Sequence, residues 1–194
     1  MKCNRYIRLS FTNIRLTGEK QIMAEMTRIE YAEYDERMVV GMMKRTTFEK
    51  AGQECWGAAF QNGTFDKLKE IDEWVCPDQD PYIGLGHMSK FEGQNNFQYI
   101  IGKFVKTAAS LPDGLYSENI PAGTVARIWI ESDTLDNIIA CAYMLCKEAI
   151  EKTGYEIDFR HFYWCDIYTY KRYCEPQEKG ERITLDYILP VIKK

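Results

Sequence analysis

Two hydrophobic periods alternate along this chain. Arg37-Met38-Val39-Val40-Gly41-Met42-Met43-Lys44 is a strand-like run, and the mixed stretch from Met26 to Tyr34 can start a strand before it. The period then becomes helical. Thr46 precedes Glu49 by three, a capping-box spacing, and Phe48, Ala51, Cys55 and Ala59 make an apolar stripe with Trp56 and Phe60, ended by Asn62-Gly63. A second helical stretch from Phe65 to Val75 keeps the spacing at Leu68, Ile71 and Val75 until Pro77 and Pro81 stop it. Two strands follow, over 81–87 and 96–105, joined by a polar loop containing glycine.

After the turn chemistry of Pro112-Asp113-Gly114 the order repeats. Residues 123–130 read as a strand, and Ser132 or Asp133 caps a helix. Its apolar positions are Leu135, Ile138, Ile139, Ala142, Cys146, Ala149 and Ile150, and it closes at Lys152-Thr153-Gly154. Strands over 161–170 and 182–191 complete the unit. The chain therefore predicts an α+β fold made of a duplicated β-α-β-β module: an antiparallel sheet, two helices on one face and a central groove between the halves. The expected division is a leader over 1–25 and a single domain over 26–194, with halves of about 26–110 and 111–194.

Composition narrows the function classes. With a formal net charge of −4 there is no broad nucleic-acid-binding face, although residues 1–22 carry +4 and the remainder −8. Seven cysteines without a CxxC pair, and two histidines, give no metal-ligand spacing, so no metal or other cofactor is expected. Such scattered cysteines suit a reducing cytoplasm. No run reaches the length of a transmembrane helix. Thirteen Tyr and four Trp are more aromatic side chain than a core of this size requires, which favours a binding cavity.

The candidate chemistry centres on the strand over 161–170. Alternation puts Phe162, Trp164, Asp166 and Tyr168 on one face. Asp166 is then either a solvated residue on a sheet surface or an acid set in an aromatic wall, with Tyr168 and Trp164 its neighbours. Trp56 and Phe60, one helical turn apart, are core or groove wall with equal weight. Tyr99 lines the groove or lies half exposed on its strand. Trp129 is expected to face the groove, since it opposes Ile128 and Ile130, and Tyr143 reaches either the cavity or the helix–sheet core. His87 and His161 have no local Cys or Ser partner and are not read as catalytic. Cys165 reads as packing, because nothing basic adjoins it.

Several pieces, in order, resemble a known family. They are Val40-Gly41, Trp56 with Phe60, Pro81-Tyr82-Ile83-Gly84, Phe97-Gln98-Tyr99-Ile100-Ile101-Gly102, Leu111-Pro112-Asp113-Gly114-Leu115, Ile120-Pro121-Ala122-Gly123, Thr153-Gly154-Tyr155-Glu156, Cys165-Asp166-Ile167-Tyr168 and Leu189-Pro190-Val191. Over residues 37–192 the chain resembles the GyrI-like small-molecule-binding family, which includes the effector-binding domains of AraC-type and MerR-type multidrug-responsive regulators. The resemblance implies a groove carboxylate at Asp166 and an aromatic at Tyr168 that meet cationic, lipophilic ligands. The chain departs from the family with Cys165 for Phe, Asp166 for Glu and Ala149 for a common Trp.

The expected function is thus a stand-alone binding protein that senses or sequesters amphipathic, cationic drug-like molecules, linked to transcription regulation or a multidrug response. It makes no direct sequence-specific contact with nucleic acid and none with a membrane. The resemblance also implies two alternatives. One is a hydrolase of reactive, cyclopropane-bearing compounds, with Asp166 as general base and Tyr168 or Trp164 orienting the substrate. The other is a gyrase-inhibitor-like module with a protein partner.

Overall fold

Alternating runs become strands and 3.6-residue stripes become helices in the computed structural model, which describes residues 24–47, 50–71, 82–87, 97–106 and 110–194. The strands are β1 (Ala24–Tyr34), β2 (Arg37–Thr46), β3 (Tyr82–His87), β4 (Phe97–Val105), β5 (Tyr116–Ile120), β6 (Gly123–Ser132), β7 (Tyr155–Ile157), β8 (Trp164–Tyr168) and β9 (Ile183–Lys193). A π-helical turn, Ala51–Cys55, runs into α1 (Trp56–Gln61), followed by α2 (Thr64–Lys69). The long helix is α3 (Leu135–Glu151), and a second π-helical turn, Tyr170–Cys174, runs into α4 (Glu175–Lys179). The expected leader lies outside the described residues except for Ala24 and Glu25, which begin β1.

All strand pairs are antiparallel, and eight strands form the row β1-β6-β9-β8-β3-β4-β2-β5, with β7 attached to β9. This order reads the same from both ends once β1 is matched to β5, β2 to β6, β3 to β8 and β4 to β9. The fold is α+β and duplicated, with its pseudo-two-fold axis between β3 and β8, where Gly84 stands opposite Asp166. Each half lends its first strand to the other: β1 pairs with β6 and β5 with β2.

That exchange dictates the curvature. β1 and β2 are six places apart in the row, about 29 Å if the sheet were flat, yet only Asp35 and Glu36 join them, a link that spans about 11 Å. Pro121 and Ala122 likewise join β5 to β6. The sheet must therefore roll, and its concave face closes on itself. Val39, Ile83, Leu85, Ile100, Phe104 and Ile167 are fully buried there without any helix in their cluster. The convex face carries the main core, where Ala126, Ile128 and Ile130 of β6 lie under Ile138, Ala142 and Cys146 of α3, and Ala51 and Cys55 of the first helical segment cover β2 and β4.

Several sequence expectations shift at element ends. Thr46 stays on β2, paired with Phe97, and it is the Thr47 carbonyl that accepts from the Ala51 N–H at 2.9 Å. Phe48, Glu49 and Val75 lie outside the described residues. The cap of α3 is Thr134, which accepts from the Asn137 N–H at 3.2 Å, because β6 continues through Ser132. Ile139, expected in the core stripe, is 47% exposed. The strand over 161–170 shortens to Trp164–Tyr168, since the Asp158 carboxylate accepts from the Arg160 N–H and starts a 3-10 turn at Phe159–His161. Strands β5 and β7 and helix α4 had not been foreseen, although Pro176 near its start and Gly180 after its end mark α4.

Candidate functional site

Asp166 sits at the centre of the convex face, only 2% exposed, at the floor of a cavity of about 1000 Å³. Its position follows from strand parity: Cys165 and Ile167 turn to the concave core, so Asp166 turns towards the helices with Trp164 and Tyr168. The Tyr99 hydroxyl donates to Asp166 Oδ2 at 3.4 Å, while the buried Oδ1 has no hydrogen-bond partner among the described residues. Burial pushes the carboxyl up from 3.8 to about 7, with the Tyr99 hydrogen bond acting the other way.

Three phenols and a thiol surround the acid. Burial, then mutual charge repulsion with Asp166 among other groups, holds Tyr99, Tyr187 and the Cys146 thiol well above their ordinary values; for Tyr168, burial is followed by Tyr99 and then Asp166. These groups are neutral at physiological pH, so within this set the carboxyl alone titrates near neutrality. The floor offers one switchable negative charge in an apolar surround.

Two glycines make this floor. On β3, Gly84 and Gly86 lie on the same face of the sheet as Asp166, beneath Tyr99 and Trp164: a Cβ at Gly84 would lie 2.0 Å from the Tyr99 hydroxyl, one at Gly86 2.1 Å from Cζ2 of Trp164. The bare strand lets the phenol and the indole lie across it, and so lets Tyr99 on β4 reach Asp166 two strands away. The alternation Gly84-Leu85-Gly86 within an otherwise strong strand was the available signal.

The walls are aromatic. Trp56 meets Tyr168 edge-on at 4.7 Å, Tyr168 meets Tyr173 at 4.8 Å, and Phe65 joins Phe60 and Tyr82, each at 4.7 Å. Across the cavity, α3 presents Leu135, Ile139 and Tyr143. At the mouth large apolar side chains are open to solvent: Phe60 is 71% exposed and Tyr143 37%.

Of the eight residues singled out from the sequence, Trp56, Phe60, Tyr99, Tyr143, Trp164, Asp166 and Tyr168 line this one cavity. Trp129 does not, against the expectation that it faces the groove. Ile128 and Ile130 point to the helices, so Trp129 lies on the other face, held between the guanidinium groups of Arg28 and Arg127 at 4.5 and 4.7 Å. Beside it the fully buried Asp186 accepts from Arg127 Nε at 2.9 Å and takes a forked pair from Arg172, 3.0 Å to Oδ1 and 2.8 Å to Oδ2. Tyr187, Phe65, Tyr82, Phe97 and Tyr173 also line the cavity and were not singled out. His87 packs on the concave side near Glu118 and Tyr163, and His161 lines a smaller, separate cavity of about 410 Å³.

Among the described residues no group of three His, Cys, Asp or Glu side chains could hold a metal, and no helix is long and apolar enough to cross a membrane.

No protein-family model matches the chain, and no curated protein matches it in sequence. Solved structures do share its fold. SAV2435 bound to tetraphenylphosphonium superposes with a TM-score of 0.58 at 9% identity, over 84% of this chain and 93% of that one. The EcmrR C-terminal domain gives 0.52 at 15% identity, over 86% and 98%. EcmrR in an EcmrR–DNA complex gives 0.59 at 12% identity over 91% of this chain, which spans 60% of that one.

Proposed function

We propose that this protein binds lipophilic cationic small molecules over Asp166, as a ligand sensor or sequestering protein of GyrI-like type. The observation that carries the reading is a buried carboxyl, one oxygen without a partner, at the floor of a large aromatic-walled cavity. A charge held there without a counter-ion is costly, and an incoming cation removes that cost. Aromatic faces add about 0.5–2 kcal/mol of cation–π attraction per well-placed ring. Apart from the acid the walls select by shape more than by hydrogen-bond pattern, which suits chemically varied ligands. The fold shared with SAV2435 bound to tetraphenylphosphonium supports the same reading.

Thermal unfolding of wild type and Asp166→Asn at pH 8 with a panel of lipophilic cations tests it. A ligand at a hundredfold over its dissociation constant adds about 2.7 kcal/mol, a shift of roughly 5–10 °C at this size. Wild type should shift and the variant should shift much less. Equal shifts in both, or none in wild type with any cation, would end the reading.

One observation favours a second reading, hydrolysis. A carboxyl raised to about 7 is matched to general-base work near neutral pH. Asp166 would take a proton from water as its oxygen bonds to an electrophilic carbon of the substrate. The electron pair of the broken ring bond would end on the departing carbon, which takes back the proton held by Asp166. Mass analysis of recovered electrophiles decides: wild type should return the hydrated product and Asp166→Asn the unchanged compound.

A further inference from the structure

We infer that the ligand enters head first, that its head is a protonated amine bearing at least one N–H, and that its apolar body lies toward the mouth. The inference rests on the cavity being a cation site and narrows the class of cation.

The state of the acid asks for a hydrogen-bond donor. Asp166 Oδ1 is buried and accepts no hydrogen bond among the described residues, and Oδ2 has only the long contact from Tyr99. A buried carboxylate oxygen is satisfied by a donor and not by positive charge alone. An ammonium N–H supplies one, whereas a trimethylammonium or a phosphonium carries its charge behind carbon. Around the floor the other titratable groups are Tyr99, Tyr168, Tyr187 and Cys146, from three strands and α3, and none of them is a cation.

Access to the acid is narrow. With 2% of Asp166 exposed, little more than a slender head can touch it. Aspartate is also a short acid, so the head must descend to it. Tyr99 cannot retreat far, since its hydroxyl lies against the bare backbone of Gly84.

The cavity is also graded from floor to rim. The buried charge is at the bottom, Trp56 and Tyr168 form an aromatic neck, and at the rim Phe60 and Ile139 leave apolar surface exposed, 71% and 47%, beside the solvated charges of Asp66, Lys69 and Asp136. A molecule matched to that order has a small cationic end and a greasy body, as an arylalkylamine does.

Calorimetric titration of the full chain at pH 8 with 4-phenylbutylamine, its N,N,N-trimethylammonium analogue, 4-phenylbutanol and tetraphenylphosphonium tests this. The primary amine should bind at least tenfold more tightly than the trimethyl analogue and than the alcohol. Asp166→Asn should erase the preference, and the wild-type comparison decides without the variant if that variant fails to fold. Equal or tighter binding of the trimethyl analogue, or binding of tetraphenylphosphonium without the amine, overturns the inference and leaves the cation site standing. If no cation of either kind binds, both fall.

Discussion

The Tyr99 hydroxyl reaches Asp166 only because Gly84, the cross-strand partner of Asp166, has no side chain to stop it. Three strands contribute to this one contact, so each can be tested against the others.

In Gly84→Ala the new Cβ would lie 2.0 Å from the Tyr99 hydroxyl, and overpacking of this kind costs about 1–3 kcal/mol. Truncating the phenol in a Tyr99→Ala background frees the space. Chemical denaturation should therefore find the double variant less destabilised than the sum of the singles; simple additivity would mean that the two residues do not meet.

Asp166 also predicts how stability follows pH. Its folded carboxyl binds a proton up to about pH 7, its unfolded one only to about 3.8, so between those values the folded state holds more protons. Its contribution is full below the lower value and is lost as pH rises to about 7. At about 1.4 kcal/mol per pKa unit the loss amounts to about 4 kcal/mol. Asp166→Asn should lack this fall and be more stable than wild type at pH 8, as denaturant unfolding across pH 4–8 would reveal.

For a cation that keeps its charge across this range the same proton competes with the ligand. 4-Phenylbutylamine, protonated throughout this range, should gain close to tenfold in affinity per pH unit up to about 7 and level off above it, with one proton released per ligand bound at pH 6. A flat profile would place the ligand away from Asp166.

Trp129 and Asp186 separate stability from binding. Asp186→Ala leaves Arg127 and Arg172 without their buried carboxylate and should cost about 3–5 kcal/mol. Trp129→Phe, on the face away from the cavity, should leave cation affinity within about twofold, whereas Trp56→Ala, which removes the ring beside Tyr168, should weaken it at least fivefold.

Strand parity carried most of what the sequence disclosed. Asp166, Trp164 and Tyr168 share a face because the pleat requires it, and the hydrophobic stripe at Ile138, Ala142, Cys146 and Ala149 places α3 on the core. Parity could not say which face of β6 the helices cover, and that is where Trp129 was misassigned. The strand swap was not legible either: β5 is a short run of Tyr116-Ser117-Glu118-Asn119-Ile120 with three charged or polar positions in its middle, and its pairing is set by β2 across the chain. Gly84 and Gly86 carry no side chain to read, and only the neighbours lying on them reveal their use.

The pairing of Gly84 with Asp166 has a further meaning for how such a protein can exist at all. The pair straddles the axis that relates the halves, so whatever residue one half places there, an identical copy would place beside it. Two identical subunits could present twin acids, repelling one another in a dry setting, or no acid, and never a solitary one. Joining the copies into one polypeptide lifts that constraint: one copy keeps the acid while the other gives up its side chain to make room for the phenol that touches it.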